Sequence, residues 1–272
     1  MTADETGFAL LARQIARTSG FALEGYKDKC VRRRIAVRMR ACGVHTYDDY
    51  RTLLDGSPAE NERLRDALTI NVTRFYRNAD TWNLLRREVL PALLDPGRTD
   101  VRVWSAGCAS GEEPYTIAML AASHLDTAGR GDELARFGVD ATDIDRVSLD
   151  RARAACYGTG GLTEMPADVA RPYFETAGTE RRVVDRVRRR VRVCRLDLSR
   201  DRPIRTDYHL ILCRNVVIYF DRALQERLFR TFADALAPGG YLVLGKVETL
   251  FGPARDRLTL VDPRERVYRR PQ

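Results

Sequence analysis

The stretch that decides the fold is Trp104-Ser105-Ala106-Gly107-Cys108-Ala109-Ser110-Gly111-Glu112-Glu113-Pro114-Tyr115. It follows the run Val101-Arg102-Val103 and precedes the helical pattern Thr116-Ile117-Ala118-Met119-Leu120. A strand that breaks into small residues and restarts as a helix forms the entrance of a nucleotide-type cofactor site. Ala106, Gly107, Ala109 and Gly111 remove side-chain bulk, so that a ligand can touch backbone there. A phosphate binder needs bare N–H groups and a positive helix end at such a turn. Glu112 and Glu113 put carboxylates at that end, which repel a pyrophosphate and favour a cation. The pattern suits a ligand carrying adenosine and positive charge. S-adenosylmethionine, with its sulfonium and ammonium groups, fits. Taken alone, the same residues also read as a tight turn before a helix with dipole-favoured acids.

Outward from this turn, strands and helices alternate. Strands are expected at 101–104, 136–142, 208–213 and 240–245, with a final pair at 258–261 and 266–268. Helices are expected at 114–125, 147–155 and 223–236. Such alternation gives an α/β fold with a mostly parallel sheet. The segment 157–196 breaks the pattern: glycine-rich turns surround Val183-Val184, Val187 and the alternating Arg190-Val191-Arg192-Val193. It reads as a small antiparallel β-subdomain inserted into the main sheet.

Residues 1–90 read as a helical module. Phe8, Leu10, Leu11 and Ile15 make an apolar stripe, and Phe21-Ala22-Leu23 follows a break at Ser19-Gly20. Helices follow at 27–42, at 47–54 behind the N-cap candidate Thr46, and at 60–70. Asp95-Pro96-Gly97 reads as a hinge, leaving 91–272 as the α/β domain.

With 272 residues, 44% hydrophobic and 31% charged, the chain has room for one large or two modest domains. No segment approaches the ~20 apolar residues of a membrane span. The beginning, with Asp4 and Glu5 before a short amphipathic stretch, lacks a signal-peptide pattern. Six cysteines (30, 42, 108, 156, 194, 213) form no Cys-x-x-Cys pair, which argues against a metal site and for a reducing cytoplasm. The net charge of +8 comes from arginine, since Lys27, Lys29 and Lys246 are the only lysines. That charge favours an anionic partner surface.

In doubly wound sheets the ligand lies outside the carboxyl ends of the strands. The second strand ends in Asp143, placed to accept from ribose hydroxyls, with Asp145 the better N-cap for the next helix. The strand at 208–213 ends in Arg214-Asn215-Val216-Val217-Ile218-Tyr219-Phe220. As structural alternatives, Asp143 reads as a helix cap and Asn215 as a turn residue.

Four motifs in order now resemble the chemotaxis receptor methyltransferase (CheR) family. They are Thr69-Ile70-Asn71-Val72-Thr73-Arg74-Phe75-Tyr76-Arg77, Val103 to Tyr115, Ala141-Thr142-Asp143-Ile144-Asp145, and Cys213 to Phe220. The resemblance covers almost the whole chain. It implies a Rossmann-like S-adenosylmethionine-dependent methyltransferase domain with a helical N-terminal domain and a β-subdomain, producing S-adenosylhomocysteine. It further implies that Asn71, Thr73, Arg77, Glu113, Asp143 and Asn215 line the cofactor site, with Gly107 and Arg214 from the same motifs. Asp197 and Leu198 would frame the adenine, and the helical module would close over the cofactor through Asn71 to Arg77. The implied substrate is glutamate on the helical cytoplasmic region of a chemoreceptor.

Methyl transfer to a carboxylate needs no general base, because glutamate, with a reference pKa of about 4.3, is already ionised at neutral pH. None of the histidines (45, 124, 209) sits in a motif. What the reaction needs is in-line positioning with water excluded. Arg77 would hold the substrate carboxylate through its planar fork, and Tyr219 would donate its hydroxyl nearby. In the second helix, Val31, Ile35, Met39 and Cys42 share one face, leaving Arg34, Arg38 and Arg40, with Arg33, as a basic surface. That surface complements a glutamate-bearing receptor helix, or is simply solvated.

Two departures from the family stand out. Gly245-Lys246-Val247-Glu248 replaces the usual Gly-His-Ser-Glu, and the loop around Ala177-Gly178-Thr179-Glu180 looks short. The second points to an enzyme that does not depend on a receptor's C-terminal peptide tether, and the chain is expected to be a monomer. The arginines at 186, 188, 189, 190 and 192 otherwise read as a wet strand face. The alternatives are a non-catalytic S-adenosylmethionine sensor and a nucleic-acid methyltransferase. The latter lacks an Asn/Asp-Pro-Pro-Tyr-type base pocket and aromatics interleaved with the arginines. A nicotinamide-linked dehydrogenase lacks its Gly-x-Gly-x-x-Gly spacing.

Overall fold

The computed structural model describes residues 3–19, 21, 23–69 and 71–272. The break expected at Gly20, together with Ala22 and Ile70, lies outside the described residues. The chain divides into two compact units: Met1–Ile70 with Tyr219–Leu224, and Asn71–Ile218 with Gln225–Gln272.

The first unit holds α1 (Ala3–Ser19), α2 (Asp28–Ala41), α3 (Tyr47–Gly56) and α4 (Pro58–Leu68). Leu11, Ile15, Val31, Ile35, Met39, Tyr50, Leu54, Leu64 and Leu68 fill its core, while Leu10 stays exposed. Thr46 caps α3 by accepting from the Asp49 N–H at 3.1 Å. α4 starts two residues before the expected position 60, because Ser57 accepts from the Glu60 N–H at 3.2 Å and Pro58 fits the first turn. The returning segment Tyr219–Leu224 joins this unit through backbone bonds. The Lys27 N–H donates to the Tyr219 carbonyl at 2.9 Å, and the Asp221 N–H to the Gly25 carbonyl at 2.7 Å.

The second unit carries a seven-stranded sheet in the order β6-β2-β1-β7-β8-β10-β9. Its strands are β1 (Val101–Ala106), β2 (Phe137–Asp143), β6 (Val191–Arg195), β7 (Tyr208–Cys213), β8 (Leu236–Leu244), β9 (Thr259–Asp262) and β10 (Val267–Arg269). The first five in space run parallel, and β10 and β9 add an antiparallel end. The inner strands are buried on both faces, which is why they read as nearly continuous apolar runs. α7 (Glu112–Thr127) connects β1 to β2, α8 (Arg146–Ala154) follows β2, and α9 (Arg222–Ala235) runs into β8.

Two expectations change here. First, α5 (Ala79–Leu84), a π turn and α6 (Leu90–Leu93) belong to the second unit, not to a helical module ending near residue 90. Trp82, Leu85, Leu90 and Leu93 are buried in one cluster with Val101, Val103, Ile117 and Leu120 of the sheet and α7. Asp95-Pro96-Gly97 is accordingly an internal turn, with the Asp95 carboxylate accepting from the Gly97 N–H at 3.1 Å. Second, only β3 (Cys156–Gly158), β4 (Phe174–Ala177) and β5 (Glu180–Val183) form the small antiparallel sheet, in the order β3-β5-β4. The alternating run at Val191 joins the main sheet instead, parallel to β2. Val191 and Val193 pack on Ala141 and Leu149, and Arg192 pairs with Asp140 at 2.8 Å, so the alternation is that of a charged edge strand.

Candidate cofactor site

The site gathers at the carboxyl ends of β1, β2, β6, β7 and β8, all within the second unit. The turn after β1 needs its glycines for two reasons. Gly107 has φ +86°, and a Cβ there would lie 2.5 Å from Val216 Cγ2. Gly111 has φ +99°, and its Cβ would lie 2.7 Å from the Tyr157 hydroxyl. The Gly107 and Cys108 N–H groups donate to the Thr142 carbonyl at 2.8 and 2.9 Å, fastening the turn to β2. Tyr76, Asn78, Ala109 and Asn215 also have positive φ, so left-handed backbone concentrates in these segments.

The two acids of the turn separate. Glu112 is taken locally, accepting from the Ser110 hydroxyl at 2.8 Å. Glu113 accepts from the Ser105 hydroxyl at 2.9 Å and faces Arg214 Nη1 at 3.4 Å. Burial pushes both carboxyls above their ordinary range, and for Glu113 the charges of Arg214 and Arg77 oppose that rise. Arg214 is itself buried, with its guanidinium 5.0 Å from the Trp82 ring centroid. Its Nη2 donates to the Arg77 carbonyl at 2.7 Å and to Asn78 Oδ1 at 3.3 Å.

Asn71, Thr73 and Arg77 therefore stand in the same unit as the sheet, which corrects the expectation that the helical module supplies this segment. The Asn71 amide donates to Asp145 Oδ2 at 2.7 Å, and Arg77 Nη1 donates to the Val72 carbonyl at 2.8 Å. Thr73 is half-buried on the same stretch.

At the end of β2, Asp143 accepts from the Ala109 N–H at 2.8 Å and the Asp145 N–H at 3.0 Å. Burial raises its carboxyl, and those N–H groups oppose the rise. Asp145 caps α8 by accepting from the Ser148 N–H at 3.1 Å. The Leu196 N–H donates to the Asp143 carbonyl at 2.9 Å, which brings Asp197 and Leu198 beside this strand end. The Asp197 carboxylate is held by Ser199, from its N–H at 2.8 Å and its hydroxyl at 2.6 Å.

Opposite, Asn215 is set by Glu248. This buried carboxylate accepts from the N–H groups of Asn215 at 3.0 Å, Gly245 at 2.6 Å and Ile218 at 3.3 Å. The sequence pointed to Gly245-Lys246-Val247-Glu248 only as a departure, and the clamping role of Glu248 was missed. An acid just past a strand end, preceded by glycine, was the available signal. Lys246 bridges Asp80 at 3.1 Å and Glu265 at 3.0 Å.

Three buried polar atoms at these strand ends have no hydrogen-bond partner among the described residues: Asn215 Oδ1, Asp145 Oδ1 and Arg214 Nε. Leaving such groups unmet costs roughly 1–3 kcal/mol each. The two free acceptors, Asn215 Oδ1 past the end of β7 and Asp145 Oδ1 past the end of β2, match a ligand with an ammonium group and ribose hydroxyls. The residues present fit S-adenosylmethionine.

Tyr219, Arg34, Arg38 and Arg40 belong to the first unit. Arg38 is not part of an open basic face. It donates to both oxygens of buried Glu60, Nη2–Oε2 at 2.6 Å and Nε–Oε1 at 3.0 Å, and the Tyr50 hydroxyl completes the clamp at 2.7 Å. Arg34 donates to the Leu68 carbonyl at 2.6 Å and stacks 4.9 Å from the Tyr219 ring centroid. Arg33 and Arg40 remain exposed. Arg38→Glu would set two carboxylates together in that clamp, and a loss of about 3 kcal/mol is expected, read as a lower urea midpoint. An unchanged midpoint would remove the structural assignment.

The comparisons with known proteins bear on the fold and the family. The family model described as CheR methyltransferase, SAM binding domain, matches residues 71–266, and that described as CheR methyltransferase, all-alpha domain, matches residues 6–69. The chemotaxis protein methyltransferase of Listeria innocua is 31% identical over 250 residues, covering 92% of each chain. That of Klebsiella aerogenes is 34% identical and covers 92% of this chain and 85% of its own. That of Escherichia coli is 32% identical and covers 93% and 87%. An α/β unit with a carboxylate-lined glycine turn, joined to an all-helical unit and matched by both models, places the chain in the CheR methyltransferase family of S-adenosylmethionine-dependent enzymes.

Proposed function

We propose that the chain methyl-esterifies glutamate side chains on the helical cytoplasmic region of a chemoreceptor, releasing S-adenosylhomocysteine. The observation that carries this reading is the buried Glu113–Arg214 pair at the cofactor turn, with the Arg77 carbonyl accepting from Arg214 Nη2 at 2.7 Å so that Arg77 adjoins the pair. Bound S-adenosylmethionine supplies a methyl group activated on sulfonium. In this reading Glu113 and Asn215 Oδ1 hold the ammonium, Asp143 accepts from ribose hydroxyls, and Asp197 and Leu198 frame the adenine. Gly107 leaves the backbone approachable, while Asn71 and Thr73 border the same site and Arg214 opposes the burial-driven rise of the Glu113 carboxyl. Arg77 orients the incoming carboxylate, and Tyr219 is assigned the second orienting role.

On the receptor side, exposed Arg33 and Arg40 replace Arg38 as the basic groups for an acidic helix, and Arg34 acts through Tyr219. Independence from a receptor tether, a monomeric state and a cytoplasmic location belong to the same reading. The short β4–β5 turn supports the first of these. Among the described residues, no helix is long and apolar enough to cross a membrane.

The test is transfer of labelled methyl to receptor-bearing membranes, followed by base treatment. Volatile methanol is expected, and base-stable label would refute ester formation. Arg77→Ala should lower kcat about 100-fold through misplacement of the acceptor. Full turnover in that variant at saturating cofactor and receptor would sink the role of Arg77.

A further inference from the structure

The small sheet reaches into the cofactor turn through one side chain. Tyr157, on β3, is 8% exposed. Its hydroxyl donates to the Ser110 carbonyl at 2.8 Å, inside the glycine turn. Its ring meets Phe75 edge-on at 4.8 Å and Tyr115 of α7 at 6.3 Å. Phe75 lies within the Asn71–Arg77 stretch and is gripped a second time by Phe174 of β4, at 5.3 Å. Arg74, its neighbour, pairs with Glu164 at 3.1 Å. Gly111 completes the fit, because any Cβ there would collide with the Tyr157 hydroxyl.

We propose that Tyr157 is a positioning residue for the cofactor, holding the Ser110 carbonyl and Phe75 so that both cofactor-bearing segments keep one spacing. The proposal rests on assigning the glycine turn to the cofactor. The reasoning is mechanical. The turn contains left-handed residues at 107, 109 and 111, a conformation that persists only when its surroundings hold it. Backbone bonds to Thr142 secure its start and the Gly111 N–H bond to Cys108 closes it, while the Ser110 carbonyl is held from outside by Tyr157. Burial pushes the phenol up, so the hydroxyl remains a neutral donor throughout the working range. The small sheet thereby sets cofactor affinity without touching the reacting atoms.

Tyr157→Phe keeps the ring and removes only the hydroxyl bond. Titration calorimetry with S-adenosylhomocysteine is expected to show Kd raised about 5- to 10-fold, the size of one buried hydrogen bond. The melting temperature of the ligand-free protein should fall by no more than a few degrees. Phe174→Leu acts on Phe75 from the small sheet without touching Ser110, and should raise Kd about threefold through the lost ring pair. A lowered melting temperature with wild-type Kd would make Tyr157 merely structural and overturn the proposal, as would two variants indistinguishable from wild type. Failure of the wild-type chain itself to bind S-adenosylhomocysteine would instead bring down the reading of the turn, and this inference with it.

Discussion

Arg214→Ala should lower the melting temperature by about 10 °C and remove measurable S-adenosylhomocysteine binding. The side chains of Arg214 and Glu113 are only 4% and 12% exposed. Breaking a buried pair by removing one partner leaves an uncompensated charge, which typically costs about 3–5 kcal/mol. Here the loss is compounded, because the same guanidinium fastens the Arg77 carbonyl and Asn78 and stacks on Trp82. The pH dependence follows from the Glu113 shift. Burial already raises this carboxyl, so ionising it works against the folded state, and Arg214 opposes that rise. Without Arg214 the carboxyl rises further. The extra penalty is then absent in acid, where Glu113 is protonated in both states, and grows as pH climbs above the raised value this carboxyl has in the wild type. The melting-temperature gap between variant and wild type should therefore be widest near neutrality and narrow in acid. A gap independent of pH would show that the guanidinium matters only for packing.

What the sequence revealed and what it hid divide along a physical line. The glycine turn, the strand-end acid Asp143 and the turn at Asn215 are local signals, because a strand that stops in small or polar residues carries its own meaning. The sequence separated Glu113 from Glu112 only through the family resemblance. The partners that distinguish them are Ser105 and Arg214, the second brought close by the neighbouring strand β7. Helical spacing places Arg38 on a face, yet says nothing of Glu60, which arrives from α4 to neutralise it. The apolar helix at residues 79–93 looks the same whichever core buries it, so the boundary fell near 90 in the sequence and at Ile70 in the fold. The alternation at Val191–Arg195 is equally ambiguous: a hairpin arm and a charged parallel edge strand share one pattern, and pairing with β2 decides between them. Tyr157 gave no signal, since a tyrosine after a helix is unremarkable until its hydroxyl is seen on Ser110.

Gly107→Ala should weaken S-adenosylhomocysteine binding by at least about 100-fold while leaving the fold intact. Two costs add. A side chain at φ +86° sits in a region L-residues rarely adopt, worth about 1–3 kcal/mol. The new methyl would also stand 2.5 Å from Val216 Cγ2, and relieving such overlap in a packed site costs typically about 1–3 kcal/mol. Relief requires the turn after β1 and the turn after β7 to move apart. Val216 adjoins Asn215, whose backbone is clamped by Glu248, so the second turn resists. The first turn resists too, through the bonds of Gly107 and Cys108 to Thr142. The strain therefore falls on the spacing between Glu113 and Asn215, the two groups assigned to the cofactor's ammonium. Val216→Ala in the same chain removes the obstructing methyls while leaving φ unchanged. The double variant should regain part of the lost affinity, with the shortfall reporting backbone strain alone. If Gly107→Ala bound S-adenosylhomocysteine like wild type, the close approach of these two turns would not be what holds the cofactor.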